Sequence, residues 1–173
     1  MRLVIQKVKQ ASVSVQGTQI SKIGKGFLVL LGITHNDNEE YVKKYVEKLL
    51  HLQAWPKIQE KNGELSQKNE EEKVSDSIPL TFDEQFCSNL MENDYEVIVV
   101  SQFTLYGKLK GAKPDFHDAM NSEEAEALYK QFVDLLKKTY KADKIQTGKF
   151  GNRMAVDILN DGPFMLVWDS QKE

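Results

Sequence analysis

Alternation of apolar and polar residues at the start of the chain predicts β-structure. Residues 2–16 (RLVIQKVKQASVSVQ) alternate well enough for one long or interrupted strand, and residues 17–24 (GTQISKIG) suggest its hairpin return. Residues 26–33 (GFLVLLGI) are apolar at successive positions, as expected for a strand that is buried on both faces. The pattern therefore predicts three strands, with the third at the centre of a sheet.

Two later segments have the periodicity of amphipathic helices. In residues 39–52, apolar side chains recur every three or four positions after a run of possible N-cap residues at 36–38. Residues 122–140 repeat the pattern, with Asn121 as the expected cap and Glu124 as its capping-box partner. Each segment predicts a helix that covers one face of a sheet.

Between the first helix and the next strand, the hydrophobic pattern weakens over residues 56–91. This segment is polar, charged and interrupted by glycine and proline, which predicts a long excursion from the fold. Phe82, Phe86 and Leu90 lie four residues apart, so part of the excursion is expected to form a short helix that packs back onto the domain. Loops of this length are usually functional or mobile.

The second half of the chain returns to strands. Residues 95–103 (YEVIVVSQF) predict a buried strand with a polar end, and residues 107–117 (GKLKGAKPDFH) predict a loop. Three strands are expected near 144–149, 153–159 and 164–169. Gly162-Pro163 lies between the last two, where a proline, which lacks a backbone donor, favours a turn.

The order of these elements predicts one α+β domain over residues 1–173, with a curved, mixed sheet and two main helices. Hydrophobic residues make up 40% of the chain and charged residues 28%, as in ordinary globular proteins. No segment resembles a signal sequence or a membrane span, which favours a cytoplasmic location. The single cysteine, Cys87, excludes an internal disulfide, and the net charge of −3 argues against a broad nucleic-acid-binding face while leaving a local RNA contact possible.

The sequence lacks the common motifs of metal, phosphoryl and hydride chemistry. Its three histidines have no metal-ligand spacing, and Gly-x-Ser-x-Gly, P-loop and dinucleotide-binding patterns are absent. Nothing in the spacing pairs Ser101 with His117 as a triad. The strand end Ser101-Gln102-Phe103-Thr104 could bind an oxyanion, or it could simply satisfy its own backbone.

Several motifs together resemble the D-aminoacyl-tRNA deacylase family in order and spacing. They are MRLVIQKV, ASVSV and LLGI near the start, SQFTL at 101–105, KPDFH at 113–117, GKFGNRM at 148–154 and NDGP at 160–163. The match covers nearly the whole chain except for residues near 67–87, which look like an insertion. The resemblance implies a homodimer that hydrolyses the ester between a D-amino acid, or mischarged glycine, and the terminal adenosine of tRNA, without a cofactor or metal.

The resemblance also implies roles for particular residues. The segment Ser101, Gln102, Phe103 and Thr104 is expected to hold the ester, with Thr104 as nucleophile or, as we favour, with the RNA 2′-hydroxyl activating water, because no evident base lies near Thr104 in the sequence. The adenosine is expected to contact the residues of a second group. They are Phe150 and Met154, with Lys113 and His117 at the rim.

Gly162 and Pro163, with the neighbouring Asn160, match the Gly-cisPro element that one subunit of the family inserts into the active site of the other. Its backbone carbonyls leave room at the α-carbon of the substrate for hydrogen and none for an L side chain. Lys7 stands where the family usually has an arginine that braces this element.

The chain also departs from the family at Phe164 and Met165, which replace a usual Val-Thr. Either the pocket is remodelled there, or Met165 faces the core. Two alternatives follow from these departures: a related deacylase branch with a trans Gly-Pro that acts on L-alanyl-tRNA, and a nucleic-acid-binding protein that keeps the fold without hydrolysis.

Overall fold

The long first strand pairs with three other strands and organises the sheet. The computed structural model describes residues 1–57 and 81–172. Its strands are β1 (Arg2–Val15), β2 (Thr18–Ile23), β3 (Gly26–Gly32), β4 (Glu96–Ser101), β5 (Lys108–Lys110), β6 (Lys113–Asp115), β7 (Ile145–Thr147) and β8 (Ala155–Asp169). Six of them form one sheet in the order β2-β1-β3-β4-β7, with β8 paired to β1.

The sheet is mixed and strongly curved. β1 pairs antiparallel with β2 through its second half, with β3 through its first half and with β8 along its other edge. β3 and β4 are parallel, as are β4 and β7. β2 approaches β4 and β7, so the sheet curls into a nearly closed barrel. The expected α+β domain with a curved, mixed sheet is therefore confirmed.

The helices are α1 (Glu39–His51), α2 (Phe82–Gln85) and α3 (Ser122–Thr139). Asn38 caps α1 by accepting a hydrogen bond from the Glu40 N–H at 2.9 Å, and Asn121 caps α3 through the Glu124 N–H at 3.0 Å. The short α2 begins with a capping box formed by Thr81 and Glu84, in the segment where a short helix is expected. Both long helices agree with the sequence prediction to within one residue.

Two apolar clusters fill the two faces of the sheet. The larger lies between the sheet and the helices and includes fully buried Phe27, Tyr45 and Phe132. The smaller lies inside the curve of the barrel, around Val13 and Ile98. β3 contributes Phe27 to one cluster and Leu28 to the other, which confirms that it is buried on both faces.

The structure corrects two sequence predictions in the second half of the chain. Residues 107–117, expected as a loop, contain the antiparallel hairpin β5–β6. The two predicted strands at 153–159 and 164–169 are one strand, β8, so Gly162-Pro163 is not a hairpin turn. It lies in a bulge of β8, because β8 pairs with β1 on both sides of it while the register shifts between Gln6 and Val8 and again between Val8 and Gln10. The expected insertion near 67–87 falls largely outside the described residues.

Gly26 at the start of β3 provides a test of this packing. Its φ is +154°, and a Cβ there would lie 1.8 Å from the Glu96 carbonyl oxygen of β4. We expect Gly26→Ala to lower the free energy of unfolding by more than about 3 kcal/mol in urea titrations, because the backbone of a central strand would have to move. Gly17→Ala is the matched control: φ is +81° but the space is open, so the loss should be only about 1 kcal/mol. Equal losses would contradict this close packing of β3 on β4.

Candidate active site

The polar end of β4 leads directly into a single 3-10 turn, Phe103–Tyr106. The Gln102 N–H donates to the Leu31 carbonyl at 2.8 Å, so ladder pairing continues one residue beyond the strand. The side-chain amide of Gln102 then donates a hydrogen bond to Thr104 Oγ1. The predicted segment 101–104 therefore forms a strand end whose side chains are partly or fully exposed.

A cavity of about 740 Å³ opens beside this strand end. Its wall brings together five of the residues predicted as site residues. They are Ser101, Gln102, Phe103, Phe150 and Met154. Of the other predicted residues in this region, Thr104 lies in the adjoining turn, and neither Lys113 nor His117 lines the cavity.

Phe150 and Met154 belong to both the core and the cavity wall. The Phe150 ring lies 5.4 Å from the ring of Tyr129, whose hydroxyl donates to the Val99 carbonyl at 2.8 Å. Met154 Sδ accepts a hydrogen bond from the Lys149 N–H at 3.3 Å, which closes the turn. Phe150 thus packs on the core and also lines the cavity.

Sequence reasoning missed many residues of the cavity wall, among them four with large or polar side chains. They are Phe116, Met120, Asn152 and Arg153. Phe116 and Arg153 fall within the quoted motifs KPDFH and GKFGNRM, but periodicity could not show which side chains of those turns face the cavity. The Phe116 ring packs edge-on against Phe103 at 5.0 Å, which fixes one side of the opening.

Arg2 of β1 anchors the far side of the 3-10 turn. Its guanidinium donates to the Leu105 carbonyl and stacks over the Tyr106 ring at 4.6 Å. Its Nε and Nη2 also donate to the same oxygen of Asp169, Oδ2, at 3.1 and 2.7 Å. Burial opposes ionisation of Asp169, yet the hydrogen bonds from Arg2 lower the pKa of that carboxyl below its ordinary value. The turn that carries Thr104 is therefore attached to β1 and β8.

His117 lies outside the cavity and is held by its own loop. Its ring is 92% exposed, and Nδ1 contacts the Asp115 carboxylate. The backbone N–H of His117 also donates to Asp115 Oδ1 at 2.9 Å. The hydrogen bond with Asp115 raises the pKa of the imidazole above its ordinary value. His117 does not line the cavity, so the rim position expected for it stays a prediction.

The bulge in β8 forms the second part of the candidate site. Gln6 pairs with Met165 and Val8 with Asn160, so the four residues 161–164 of β8 face the single residue Lys7 of β1. Gly162 has φ of +117°, a conformation that side chains other than glycine rarely adopt. The Gly162-Pro163 peptide bond is cis.

Polar contacts from Asn160 and Lys7 hold the bulge in place. Asn160 Oδ1 accepts a hydrogen bond from the Phe164 N–H at 3.1 Å, and its amide donates to Gln6 Oε1 at 3.2 Å. The Lys7 ammonium lies 3.2 Å from the Asp161 carboxylate within the same chain. Lys7 therefore contacts the bulge within its own chain, and the bracing of Gly162-Pro163 across an interface that the resemblance implies stays a prediction.

Two aromatic residues support the bulge from beneath. Lys7 Nζ lies 5.8 Å from the centre of the Trp55 ring, and the Phe86 ring lies 5.6 Å from that of Phe164. Trp55 and Phe86 stand on opposite sides of the residues 58–80 that the structure does not describe, and a bridge between Trp55 and Ser88 joins these two ends. The base of the excursion is thus packed against the bulge.

The exposure of Phe164 and Met165 tests one of their two interpretations, namely that Met165 faces the core. Phe164 is half-buried against Phe86, whereas Met165 is 56% exposed. The idea that Met165 faces the core is therefore wrong. The two substitutions change the packing beneath the bulge and the surface beside it, and neither residue lines the cavity.

The predicted site residues fall into two separate groups within one chain. In the sheet, the bulge of β8 lies opposite Lys7 of β1. Ser101 of β4 pairs with Leu31 of β3, which in turn pairs with Leu3 of β1. Four residues along β1 and three strand spacings separate them, which amounts to about 20 Å along the sheet surface. A single chain does not bring Gly162-Pro163 to the cavity.

Within residues 1–57 and 81–172, no group of three or more histidine, cysteine, aspartate or glutamate side chains could hold a metal ion. No helix in the described part of the chain has the length and apolar composition needed to cross a membrane.

Comparison with known proteins identifies the family. The sequence profile described as D-Tyr-tRNA(Tyr) deacylase matches residues 4–77 and 77–169. The chain belongs to this family. It is 39% identical to D-aminoacyl-tRNA deacylase 1 of Mus musculus over 98% of this chain and 70% of that protein. It is 38% identical to D-aminoacyl-tRNA deacylase of Clostridium novyi over 100% of this chain and 99% of that protein. The predicted membership of a hydrolase family, the D-aminoacyl-tRNA deacylases, is confirmed.

Solved structures agree with this assignment. The structure titled c-Myc DNA Unwinding Element Binding Protein has a TM-score of 0.81 and 39% identity, covering 98% of this chain and 99% of that one. A probable eukaryotic D-amino acid tRNA deacylase has a TM-score of 0.70 at 20% identity, covering 96% and 97%, and shows the shared fold.

Proposed function

We propose that this protein hydrolyses the ester that joins a D-amino acid, or mischarged glycine, to the 3′-terminal adenosine of tRNA. The observation that carries this proposal is the cavity in which the polar strand end at Ser101 and Gln102 meets Phe150 and Met154. A half-exposed aromatic face can stack on an adenine base for about 1–3 kcal/mol. The polar strand end then lies where an ester attached to that nucleoside would extend.

The residues at this strand end suit catalysis by positioning. An aminoacyl ester is already activated, so fixing its orientation and stabilising the oxyanion supply much of the rate. The backbone N–H groups of Phe103 and Thr104 stand at the start of a helical turn, where no carbonyl of that turn is available to them. We propose that they bind the ester oxygen, with the Gln102 amide beside them.

Thr104 is poorly placed to act as a nucleophile. The hydrogen bond that its Oγ1 accepts comes from the Gln102 amide, a donor that cannot remove the hydroxyl proton. The imidazole of His117 is bound to Asp115 and lies outside the cavity wall. We therefore propose that the 2′-hydroxyl of the RNA activates the attacking water.

Chiral selection is assigned to the bulge in β8, supplied by a second copy of the chain. Within one chain the bulge is too far along the sheet to reach the cavity, and β8 exposes apolar side chains for contact with a partner. These are Ile158, Leu159, Met165 and Val167, between 41% and 59% exposed. Burying such a surface favours association. In the dimer, the carbonyls of Gly162 and Pro163 would exclude an L side chain by steric contact.

A different activity is suggested by one solved relative, whose title names binding to a DNA unwinding element. A protein of this fold could bind a nucleic acid without hydrolysis. The L-alanyl-tRNA deacylase branch is the other alternative. Both make predictions opposite to ours in a single assay.

That assay compares hydrolysis of D- and L-aminoacyl-tRNA by the purified protein. We expect the D-ester to be lost at least 100-fold faster than in buffer, and the L-ester to persist near the buffer rate, because discrimination by a steric clash is strong. Loss of the D-ester only at the buffer rate would contradict the enzymatic proposal. Rapid loss of L-alanyl-tRNA would support the other branch.

Thr104→Ala separates the two chemical mechanisms. If the 2′-hydroxyl of the RNA activates water, the variant should keep kcat within about tenfold of the parent, since only a hydrogen bond to Gln102 is lost. Removal of a true nucleophile costs about 10³-fold or more. Single-turnover hydrolysis of D-aminoacyl-tRNA measures the difference, and Thr104→Ser serves as the matched control.

Phe86→Ala tests the support beneath the bulge. The substitution removes the ring that packs on Phe164, next to Pro163, so the bulge should become less rigid. We expect the ratio of D- to L-ester hydrolysis to fall about tenfold, with D-ester kcat/KM within about threefold of the parent. Phe86→Leu, which keeps most of the volume, should restore the ratio. An unchanged ratio in a folded Phe86→Ala protein would show that Phe86 does not support selection.

A further inference from the structure

The β5–β6 hairpin extends from the domain with most of its surface in solvent. All three residues of β5 are exposed, and Leu109, at 81%, is more exposed than any other large apolar residue in the described part of the chain. Lys108 and Lys110 stand on either side of Leu109, and Lys113 begins β6. Gly111, with φ of +66°, makes the turn between the strands. A hairpin this short does not enclose a hydrophobic core of its own.

Both ends of this hairpin are attached to the cavity. β5 follows the 3-10 turn that begins at Phe103, and β6 runs directly into Phe116. Phe103 and Phe116 line the cavity and pack edge-on against each other at 5.0 Å. Strands of three residues extend about 10 Å from this point. The hairpin therefore stands at the mouth of the cavity, beyond its aromatic edge.

The charge around the cavity is opposite to that of the whole protein. The chain carries a net charge of −3. By contrast, cationic side chains exceed acidic ones in the two segments that form the cavity mouth, 101–120 and 148–154. The cationic residues are Lys108, Lys110, Lys113, Lys149 and Arg153, and the acidic ones are Asp115 and Asp118. This opening therefore has a local excess of positive charge in a protein whose net charge is negative.

The internal ion pairs of the hairpin do not remove its capacity to bind an anion. Lys108 pairs with Asp118 while remaining 74% exposed, and Lys110 Nζ lies 3.9 Å from Asp115 while remaining 84% exposed. Exposed pairs of this kind contribute little free energy and exchange readily for other partners. The lysines can therefore turn towards a phosphate without a large loss elsewhere.

The hairpin is poorly suited to a partner that adds a β-strand. Pro114 occupies the centre of β6 and lacks a backbone N–H, and lysines along the strands disfavour edge pairing. A polyanion needs no strand edge and would contact the side chains instead. Charge and backbone together favour a nucleic acid over a protein chain.

We infer that the β5–β6 hairpin is a docking surface for the phosphates of the tRNA acceptor end, next to the nucleotide that enters the cavity. Lys110 and Lys113, which are cross-strand neighbours on one face of the hairpin, supply the contacts, and Lys108 lies on the same face. This inference rests on the proposed function, because the position of the terminal adenosine defines the direction of the RNA. The hairpin contact would strengthen binding of tRNA and would not affect binding of a nucleoside ester.

The test compares two substrates in the double variant Lys110→Ala/Lys113→Ala. One is D-aminoacyl-tRNA, and the other is the same D-amino acid esterified to adenosine alone. We expect the ratio of kcat/KM for tRNA to that for the nucleoside ester to fall about 5- to 10-fold. The slope of log KM against log salt for tRNA should decrease by about 0.7 for each lysine removed.

Lys137→Ala/Lys138→Ala is the matched control. These lysines lie in the last turn of α3, whose first residue, Ser122, lines the cavity, so they stand about 24 Å away along the helix. The control makes the same change in net charge and should leave both the ratio and the salt slope unchanged. Equal effects in the two variants would show that the changes follow from net charge alone and would overturn the inference.

Binding of deacylated tRNA, measured by fluorescence anisotropy, tests the hairpin independently of catalysis. A protein that hydrolyses neither ester would contradict the proposed function, yet the hairpin variant should still bind tRNA 5- to 10-fold more weakly than the parent. Unchanged tRNA affinity would contradict the inference. An equal loss of tRNA affinity in the control variant Lys137→Ala/Lys138→Ala would also overturn it, because the loss would then follow from net charge alone.

Discussion

The antiparallel pairing of β1 with β8 is the constraint on which the rest of this structure depends. β1 pairs with β2 and β3 on one edge and with β8 on the other, so it fixes the relative positions of four strands. The pairing continues on both sides of residues 161–164, with a shift of register between them. The ladder therefore forces these residues out of the sheet, and Asn160 and Lys7 stabilise the resulting bulge by side-chain contacts. The same two strands also anchor the turn beside Ser101 through Arg2 and Asp169.

Under the proposed function, this arrangement would let a deacylase site work with few ionisable groups. The strand end at 101–104 offers an amide, hydroxyls and backbone donors, and the bulge in β8 offers backbone carbonyls around Gly162 and Pro163. Rigid backbone positions can stabilise an oxyanion and exclude one hand of an amino acid without reading its side chain. The cost of such a design is precision, because a shift of about 1 Å would admit the wrong substrate. Packing beneath both elements is therefore part of the function.

Much of the fold was predictable because the hydrophobic pattern is strong. β3 is apolar at successive positions and is buried on both faces, and α1 and α3 follow from periodicity and their asparagine caps. The bulge was not predictable, because Gly162-Pro163 between two apolar segments has the local signature of a turn. Only the long-range pairing with β1 shows that the strand continues, and no local pattern contains it.

The candidate site, like the fold, was predictable only in part. Family motifs predicted Ser101, Gln102, Phe150 and Met154, and the structure places all four at one cavity. Phe116 and Arg153 were missed, since a turn motif does not show which of its side chains face inward. The contact between Phe86 and Phe164 joins residues 78 positions apart and involves the departure from the usual sequence at 164, so only the folded chain reveals it.

Mixing two variants tests most directly whether the site is completed by a second copy of the chain. Ser101→Trp blocks the cavity, and Gly162→Ala/Pro163→Ala removes the selective bulge, so the second protein alone should hydrolyse D- and L-esters alike. After subunit exchange with an excess of the first variant, each remaining open cavity would face an intact bulge from its partner. The account predicts that hydrolysis of the L-ester then stops while hydrolysis of the D-ester continues. Persistent hydrolysis of the L-ester in mixed dimers would contradict it.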